Sequence, residues 1–155
     1  MELIAAQYRG RARVLARAND TVRDVIGRWT EMAKRGDYCG IMLDTAERSY
    51  SEKRLKQARL AYWLLGSVGK PRSFDRFLTQ AESCVTHDAY GELSRIQCPT
   101  LVIGGTDDRI VTGEASRETA GQIPGAELYM YEGLGHGLYE EAPDFWGRVK
   151  EFCVR

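Results

Sequence analysis

Two stretches near the C-terminus decide the fold: CPTLVIGGTDD at residues 98–108 and AELYMYEGLGHG at residues 126–137. The first is a short apolar run between a proline and two glycines, which is typical of a strand buried on both faces. The second alternates in polarity and then enters a glycine-rich loop around a histidine. Residues 114–123 between them, EASRETAGQI, predict an amphipathic helix. Strand, helix, strand in this order predicts a parallel α/β layout.

The preceding part of the chain has helical periodicity. Residues 19–87 predict four helices with short loops, over about 19–36, 38–48, 51–69 and 73–85. Thr21 with Asp24 predicts a capping box at the start of the first helix, and Gly36 predicts its end. The apolar stripe of that helix consists of Val22, Val25, Ile26, Trp29, Met32 and Ala33.

The two ends of the chain complete the predicted fold. Residues 1–9 predict a helix and residues 12–18 a short strand, while a last helix follows Pro143. Its predicted apolar face is formed by Phe145, Trp146, Val149, Phe152 and Cys153. The predicted fold class is therefore α/β: a short parallel sheet of two to three strands with helices, plus an all-α unit of about four helices.

Composition excludes several classes of function. The 155 residues carry 22 basic and 22 acidic side chains, so the net charge is zero, and we expect neither a nucleic acid nor a membrane as partner. Four cysteines without a CxxC pair favour a reduced, cytoplasmic protein. Cys84 and His87 have a ligand-like spacing, but further ligands at matched spacing are missing, so we expect no metal and no cofactor.

Candidate catalytic residues follow the two predicted strands. Asp107 and Asp108 come after the first strand, and His136 comes after the second between Gly135 and Gly137. The carboxyl ends of parallel strands meet at one edge of a sheet, so these groups are expected to lie together. A carboxylate there would accept the Nδ1–H bond and leave Nε2 as a general base. The alternatives are that the aspartates are turn residues and that His136 is a surface residue of a loop that its glycines expose.

Over residues 93–153 the chain resembles the C-terminal part of an α/β-hydrolase. The resemblance is carried by the strand opening CPTLVIGG, the G-x-x-D of GTDD, the IPGAEL entry to the last strand and the GLGH loop. It implies that Asp108 is the catalytic acid and His136 the catalytic base, in the order nucleophile, acid, histidine. It also implies that residues 1–18 are the helix and strand after the nucleophile, residues 19–92 a cap, and residues 93–155 the end of the core.

The nucleophile elbow of that family, G-x-S-x-G, does not occur in these 155 residues. Ser67 has Leu65 in the place of the first glycine, and Ser116 follows Asp108 instead of preceding it. The resemblance therefore implies a fragment that supplies acid and base but no serine nucleophile and no oxyanion hole. We expect such a chain to have little activity alone.

Two hypotheses for function remain at this point. The first is a serine hydrolase of ester or acyl bonds, with a small ester-like substrate in the full-length protein. The second is a non-catalytic binding or oligomerisation module, because half a sheet leaves an exposed edge that favours a homo-oligomer. The spacing of the larger cap side chains favours core over pocket for Trp29, Met42, Tyr62, Trp63 and Phe77.

Overall fold

The computed structural model describes residues 15–155. Two strands, seven α-helices and one 3₁₀ helix are present in that range. In chain order these are α1 (Asp20–Lys34), α2 (Tyr38–Ser49), α3 (Glu52–Val68), α4 (Asp75–Thr86), the 3₁₀ helix (Tyr90–Arg95), β1 (Leu101–Gly105), α5 (Gly113–Gln122), β2 (Glu127–Tyr131), α6 (Leu138–Glu141) and α7 (Phe145–Val154).

The two strands form a parallel pair joined by a crossover through α5. Leu101 lies opposite Glu127 and Gly105 opposite Tyr131, so both strands end at the same edge of the sheet. Parallel pairing requires such a crossover, and α5 packs on both strands. The predicted α/β class is confirmed, and residues 15–155 contribute two of the two to three parallel strands expected.

The predicted apolar stripe of α1 is confirmed. Four of its members are buried, and Ile26 and Met32 pack against the same core from partly buried positions. Gly36 ends the helix in a left-handed conformation with φ +70°, while its amide bonds to the carbonyl of Ala33. The predicted capping box is wrong, because Asn19 is the N-cap and accepts from the amide of Val22 at 2.9 Å.

Helix α3 packs mainly on α2 and leaves an opposite apolar face in solvent. Its start at Ser51 is as predicted, since the Ser51 hydroxyl accepts from the amide of Arg54. The prediction of Trp63 as a core residue is wrong: half of it is exposed. It belongs to an exposed apolar set, Leu60, Trp63, Leu64, Leu65 and Val68, at successive turns of the helix.

The predicted strand over residues 12–18 is not a strand where the structure describes it. Arg17 forms an isolated antiparallel bridge with Asp88, and the amides of Ala18 and Ala89 bond across it. The beginning of that predicted strand and the predicted helix over 1–9 lie outside the described residues. Two short elements were not predicted, the 3₁₀ helix and α6. Helix α7 is present, but its predicted apolar face is only half-buried, and Trp146 is largely exposed.

Buried residues form small clusters that join the helical unit to the sheet. Leu93 of the 3₁₀ helix is fully buried and packs with Ala16 and with Ile123 at the end of α5. Val25 and Trp29 of α1 pack with Ile110, which lies in the loop after β1. This second contact places α1 directly against the loop that carries the aspartates.

Candidate active site

The parallel pairing of β1 and β2 continues into the loops that follow them. The amide of Thr106 donates to the carbonyl of Tyr131 at 3.0 Å, and the Thr106 hydroxyl accepts from the amide of Gly133 at 2.9 Å. The amide of Asp107 then donates to the carbonyl of Leu134 at 3.0 Å. These bonds run the two loops side by side for several residues beyond the sheet.

Two glycines make this close approach possible. A Cβ atom at Gly105 would collide with the carbonyl oxygen of Leu134, so the end of β1 must carry no side chain. Gly133 has φ +71°, a left-handed conformation that turns the chain out of β2 towards His136. Backbone geometry therefore requires glycine at the last residue of β1 and at the second residue after β2.

Asp108 and His136 meet at this edge. Oδ2 of Asp108 lies 2.9 Å from Nδ1 of His136. The other carboxylate oxygen, Oδ1, accepts from the amides of Ile110 at 2.8 Å and Val111 at 3.0 Å. Asp107 instead accepts from the neighbouring Thr106 hydroxyl. Of the two aspartates that the sequence offers, the structure brings Asp108 to the imidazole.

The environment keeps Asp108 ionised. Its side chain is 10% exposed, and this burial raises the pKa of the carboxyl. The hydrogen bond and charge of His136 and the amides of Val111 and Ile110 oppose it, and the resulting pKa lies below the ordinary value for aspartate. A carboxylate can only accept hydrogen bonds, so Nδ1 of His136 carries the proton of this bond. The pair then has the arrangement that leaves acid–base chemistry to Nε2.

The other two glycines around His136 do not serve to expose it. A Cβ atom at Gly135 would lie 2.6 Å from the carbonyl oxygen of Ser49, and one at Gly137 would collide with the ring of Tyr50. The amide of Gly137 donates to the same Ser49 carbonyl at 2.6 Å. The space around His136 is thus occupied by the end of α2, and the His136 side chain is 24% exposed.

Outside this pair, the part of the chain that the structure describes offers no candidate metal site. Among residues 15–155 no group of three or more metal-ligating side chains converges, and the spacing of Cys84 and His87 gathers no further ligands. His87 lines an open polar cleft of about 780 Å³ together with Arg17, Asn19 and Asp88. In the same described range, no helix is long and apolar enough to cross a membrane.

Relatives in sequence are found among enzymes of several activities. The chain is 43% identical over 107 residues to the non-heme chloroperoxidase CPO-A1 of Kitasatospora aureofaciens, covering 61% of this chain and 36% of that protein. It is 33% identical over 110 residues to a 2-hydroxy-6-oxononadienedioate/2-hydroxy-6-oxononatrienedioate hydrolase of Burkholderia vietnamiensis, covering 70% of this chain and 38% of the relative. No protein-family model matches the chain.

Solved structures match most of this chain. MGS-M2, an α/β hydrolase enzyme from a Medee basin deep-sea metagenome library, superposes with a TM-score of 0.83 at 25% identity, covering 92% of this chain and 54% of that one. The enol-lactonase from Burkholderia xenovorans LB400 superposes with a TM-score of 0.76 at 20% identity, covering 91% and 54%.

These similarities and the parallel strand pair define the class. The chain belongs to the α/β-hydrolase superfamily and matches the C-terminal part of that fold. It spans about half the length of these solved structures and less than two fifths of the curated relatives named above.

Proposed function

We propose that Asp108 and His136 are the acid and the base of a Ser-His-Asp hydrolase that cleaves an ester or related acyl bond in a small molecule. The observation that carries this proposal is the 2.9 Å contact between Oδ2 of Asp108 and Nδ1 of His136. Two backbone amides donate to the other oxygen of the same carboxylate and fix its position, so Asp108 can orient the imidazole.

Each residue has a defined part in the proposed reaction. Nε2 of His136 takes the proton of a serine hydroxyl as that oxygen attacks the substrate carbonyl, and later returns it to the leaving group. Asp108 keeps the Nδ1–H tautomer and stabilises the imidazolium that forms. The serine and its oxyanion hole are proposed to come from residues outside these 155, since no G-x-S-x-G occurs among them.

The proposal is tested with a serine-directed fluorophosphonate and with p-nitrophenyl butyrate. The 155-residue chain is expected to label poorly and to hydrolyse the ester slowly. The genomic reading frame around the chain is then sequenced, and any longer product that contains G-x-S-x-G is expressed. That product is expected to label stoichiometrically and to hydrolyse the ester.

Three variants of the longer product assign the roles. His136→Gln and Asp108→Asn are each expected to lower kcat by about 10⁴. His87→Gln is the matched control, because it removes the other histidine of this sequence and leaves the proposed site intact. Stoichiometric labelling of the 155-residue chain alone, or a His136→Gln variant of wild-type rate, would sink the proposal.

The alternative function, a binding or oligomerisation module, is favoured by a different observation. Within residues 15–155 each strand pairs on one side only, and α3 exposes an apolar face that includes Leu60, Trp63 and Leu64. A homo-oligomer through the sheet edge is expected on this hypothesis. Light scattering over a concentration series measures it, and a monodisperse monomer throughout would contradict it. Dissociation by Leu64→Lys would identify α3 as the contact surface instead of the sheet edge.

A further inference from the structure

The segment that joins α2 to α3 lies against the residues that flank and follow His136. We call residues 49–54 the cap junction and residues 132–137 the histidine loop. The cap junction contacts the histidine loop first through the backbone, where the carbonyl of Ser49 accepts from the amide of Gly137 at 2.6 Å. Ser49 is buried, so this bond is shielded from water. Because Gly135 also faces that carbonyl, the cap junction touches both neighbours of His136.

Side chains extend this contact into α6, which follows the histidine loop. The Tyr50 hydroxyl donates to Oε2 of Glu140 at 3.0 Å, and the Ser51 amide donates to Oε1 of Glu141 at 3.0 Å. The Ser51 hydroxyl donates to the other oxygen of Glu141, and Arg54 lies 3.8 Å from Glu140. Two carboxylates four and five residues after His136 are therefore held by the cap junction.

The hydroxyl of Tyr50 stays protonated at neutral pH and can therefore donate a hydrogen bond. Burial raises its pKa, and the hydrogen bonds to Tyr62 and Glu140 raise it further. The oxygens of Tyr50 and Tyr62 lie 2.7 Å apart, which ties this hydroxyl to α3 as well. Tyr62 thus holds the hydroxyl of Tyr50, and Arg54 lies beside the carboxylate of Glu140 that this hydroxyl binds.

The same helical unit also holds the loop of Asp108. Trp29 of α1 packs on Ile110, two residues after Asp108. Its indole N–H donates to Asp44 of α2 at 2.7 Å, and Arg48 binds the same carboxylate oxygen at 2.7 Å. One connected group of helices therefore contacts the chain directly after the acid and directly after the base.

We propose that the cap junction is a positioning element that sets the His136 ring against Asp108, with Tyr50 and the Ser49 carbonyl as its main contacts. The sheet brings the two loops together, and the cap junction bonds to Gly137, Glu140 and Glu141, which follow His136 in the chain. The catalytic meaning of this device rests on the proposed function, because a base is effective only within about half an ångström of its productive place.

The test uses the 155-residue chain and observes His136 directly by NMR. Tyr50→Phe removes the hydroxyl that binds Glu140, and Gly137→Ala places a methyl group against Tyr50 and Ser49. The matched controls are Tyr38→Phe, which removes a tyrosine hydroxyl at the start of α2, and Gly121→Ala, where a Cβ meets nothing within 4 Å. The readouts are the downfield Nδ1–H signal of His136 and amide hydrogen exchange.

Loss of the Tyr50 hydroxyl is expected to speed exchange of the Gly137 amide about tenfold and to shift or broaden the Nδ1–H signal. Exchange of the β1 amides is expected to change by less than about twofold, because the sheet stays intact. Gly137→Ala is expected to remove the Nδ1–H signal while the helical circular dichroism is kept. Both controls are expected to leave the ring signal in place. An unchanged ring signal in Tyr50→Phe and Gly137→Ala overturns the inference.

The longer gene product separates this inference from the proposed function. If ester hydrolysis depends on His136 while the ring signal and the pH profile of kcat are indifferent to Tyr50→Phe, the positioning role fails and the hydrolase stands. If the ring signal responds to Tyr50→Phe but no hydrolysis depends on His136, the positioning role stands and the hydrolase fails. A pH profile displaced by Tyr50→Phe supports both, since loss of a merely structural contact would not move it.

Discussion

Replacing Asp108 tests the site through the stability of the fold, without any need for activity. Its carboxylate makes three hydrogen bonds, two to the amides of Ile110 and Val111 and one to His136. Asp108→Asn keeps an oxygen for the two amides but removes the charge. Asp108→Ala removes all three bonds and leaves both amides without their acceptor.

The magnitudes follow from the bonds that each variant loses. A hydrogen bond that involves a charged group contributes about 1.5–3 kcal/mol to the free energy of unfolding, and the site is shielded enough for this range to apply. Asp108→Asn is therefore expected to cost about 2 kcal/mol at pH 7. Asp108→Ala is expected to cost about 4 kcal/mol, because each orphaned amide adds about 1 kcal/mol.

The pH dependence has a definite sign. Because the pKa of Asp108 is lower in the folded than in the unfolded chain, its stabilisation is fully present above the unfolded pKa of about 3.9. It is lost as the pH falls through the folded pKa. The difference between wild type and Asp108→Asn is thus expected to shrink below about pH 4 and to vanish in stronger acid.

Urea unfolding followed by tryptophan fluorescence, from pH 2.5 to 8, measures this difference. Asp107→Asn is the matched control. Among residues 15–155 its side chain accepts a single hydrogen bond, from the neighbouring Thr106, so this substitution is expected to cost less than about 0.5 kcal/mol. A stability difference between wild type and Asp108→Asn of equal size at pH 3 and pH 7 would refute an ionised Asp108. A loss of unfolding free energy in Asp107→Asn as large as that in Asp108→Asn would equally refute a specific role of Asp108.

Three further substitutions test the contacts around the site, each by urea unfolding. Gly105→Ala is expected to destabilise the protein by about 3 kcal/mol, because its methyl group meets the carbonyl of Leu134. An unchanged stability would contradict the close approach of the two loops. Gly121→Ala, in open space within α5, is expected to stabilise by about 0.5–1 kcal/mol, and a loss of stability would count against the helix there. Trp29→Phe keeps an aromatic ring but loses the bond to Asp44, at an expected cost of about 2 kcal/mol; no cost would show that this bond does not join α1 to α2.

The parts of the fold predicted from sequence are those with local signals. The run CPTLVIGG is apolar without a break, the stripe of α1 recurs at helical spacing, and a proline or glycine marks their ends. The start of α1 was misplaced because Asn19, Asp20 and Thr21 can all cap a helix. Only the structure shows that the Asn19 side chain reaches the amide of Val22. The 3₁₀ helix and α6 are too short to establish a period.

The exposure of Trp63 could not be predicted for a different reason. Helix α3 has apolar or aromatic side chains on two sides, with Leu55 and Tyr62 on one and Leu60, Trp63 and Leu64 on the other. Periodicity identifies both faces as apolar, but which face meets α2 depends on tertiary packing. The close fit of Gly66 against Cys39 settles it, since both faces cannot be covered by one neighbour.

The glycines beside His136 show most clearly where local inference ends. From the sequence, glycine on both sides of a histidine indicates an exposed ring. Of Gly133, Gly135 and Gly137, Gly133 alone has a backbone conformation that requires glycine, because its φ is +71°. Gly135 and Gly137 must lack a side chain because Ser49 and Tyr50, more than eighty residues earlier in the chain, pack against them. A methyl group at either position would push the cap junction and the histidine loop apart. These two glycines are therefore explained by a tertiary contact next to the proposed base, and not by exposure of its ring.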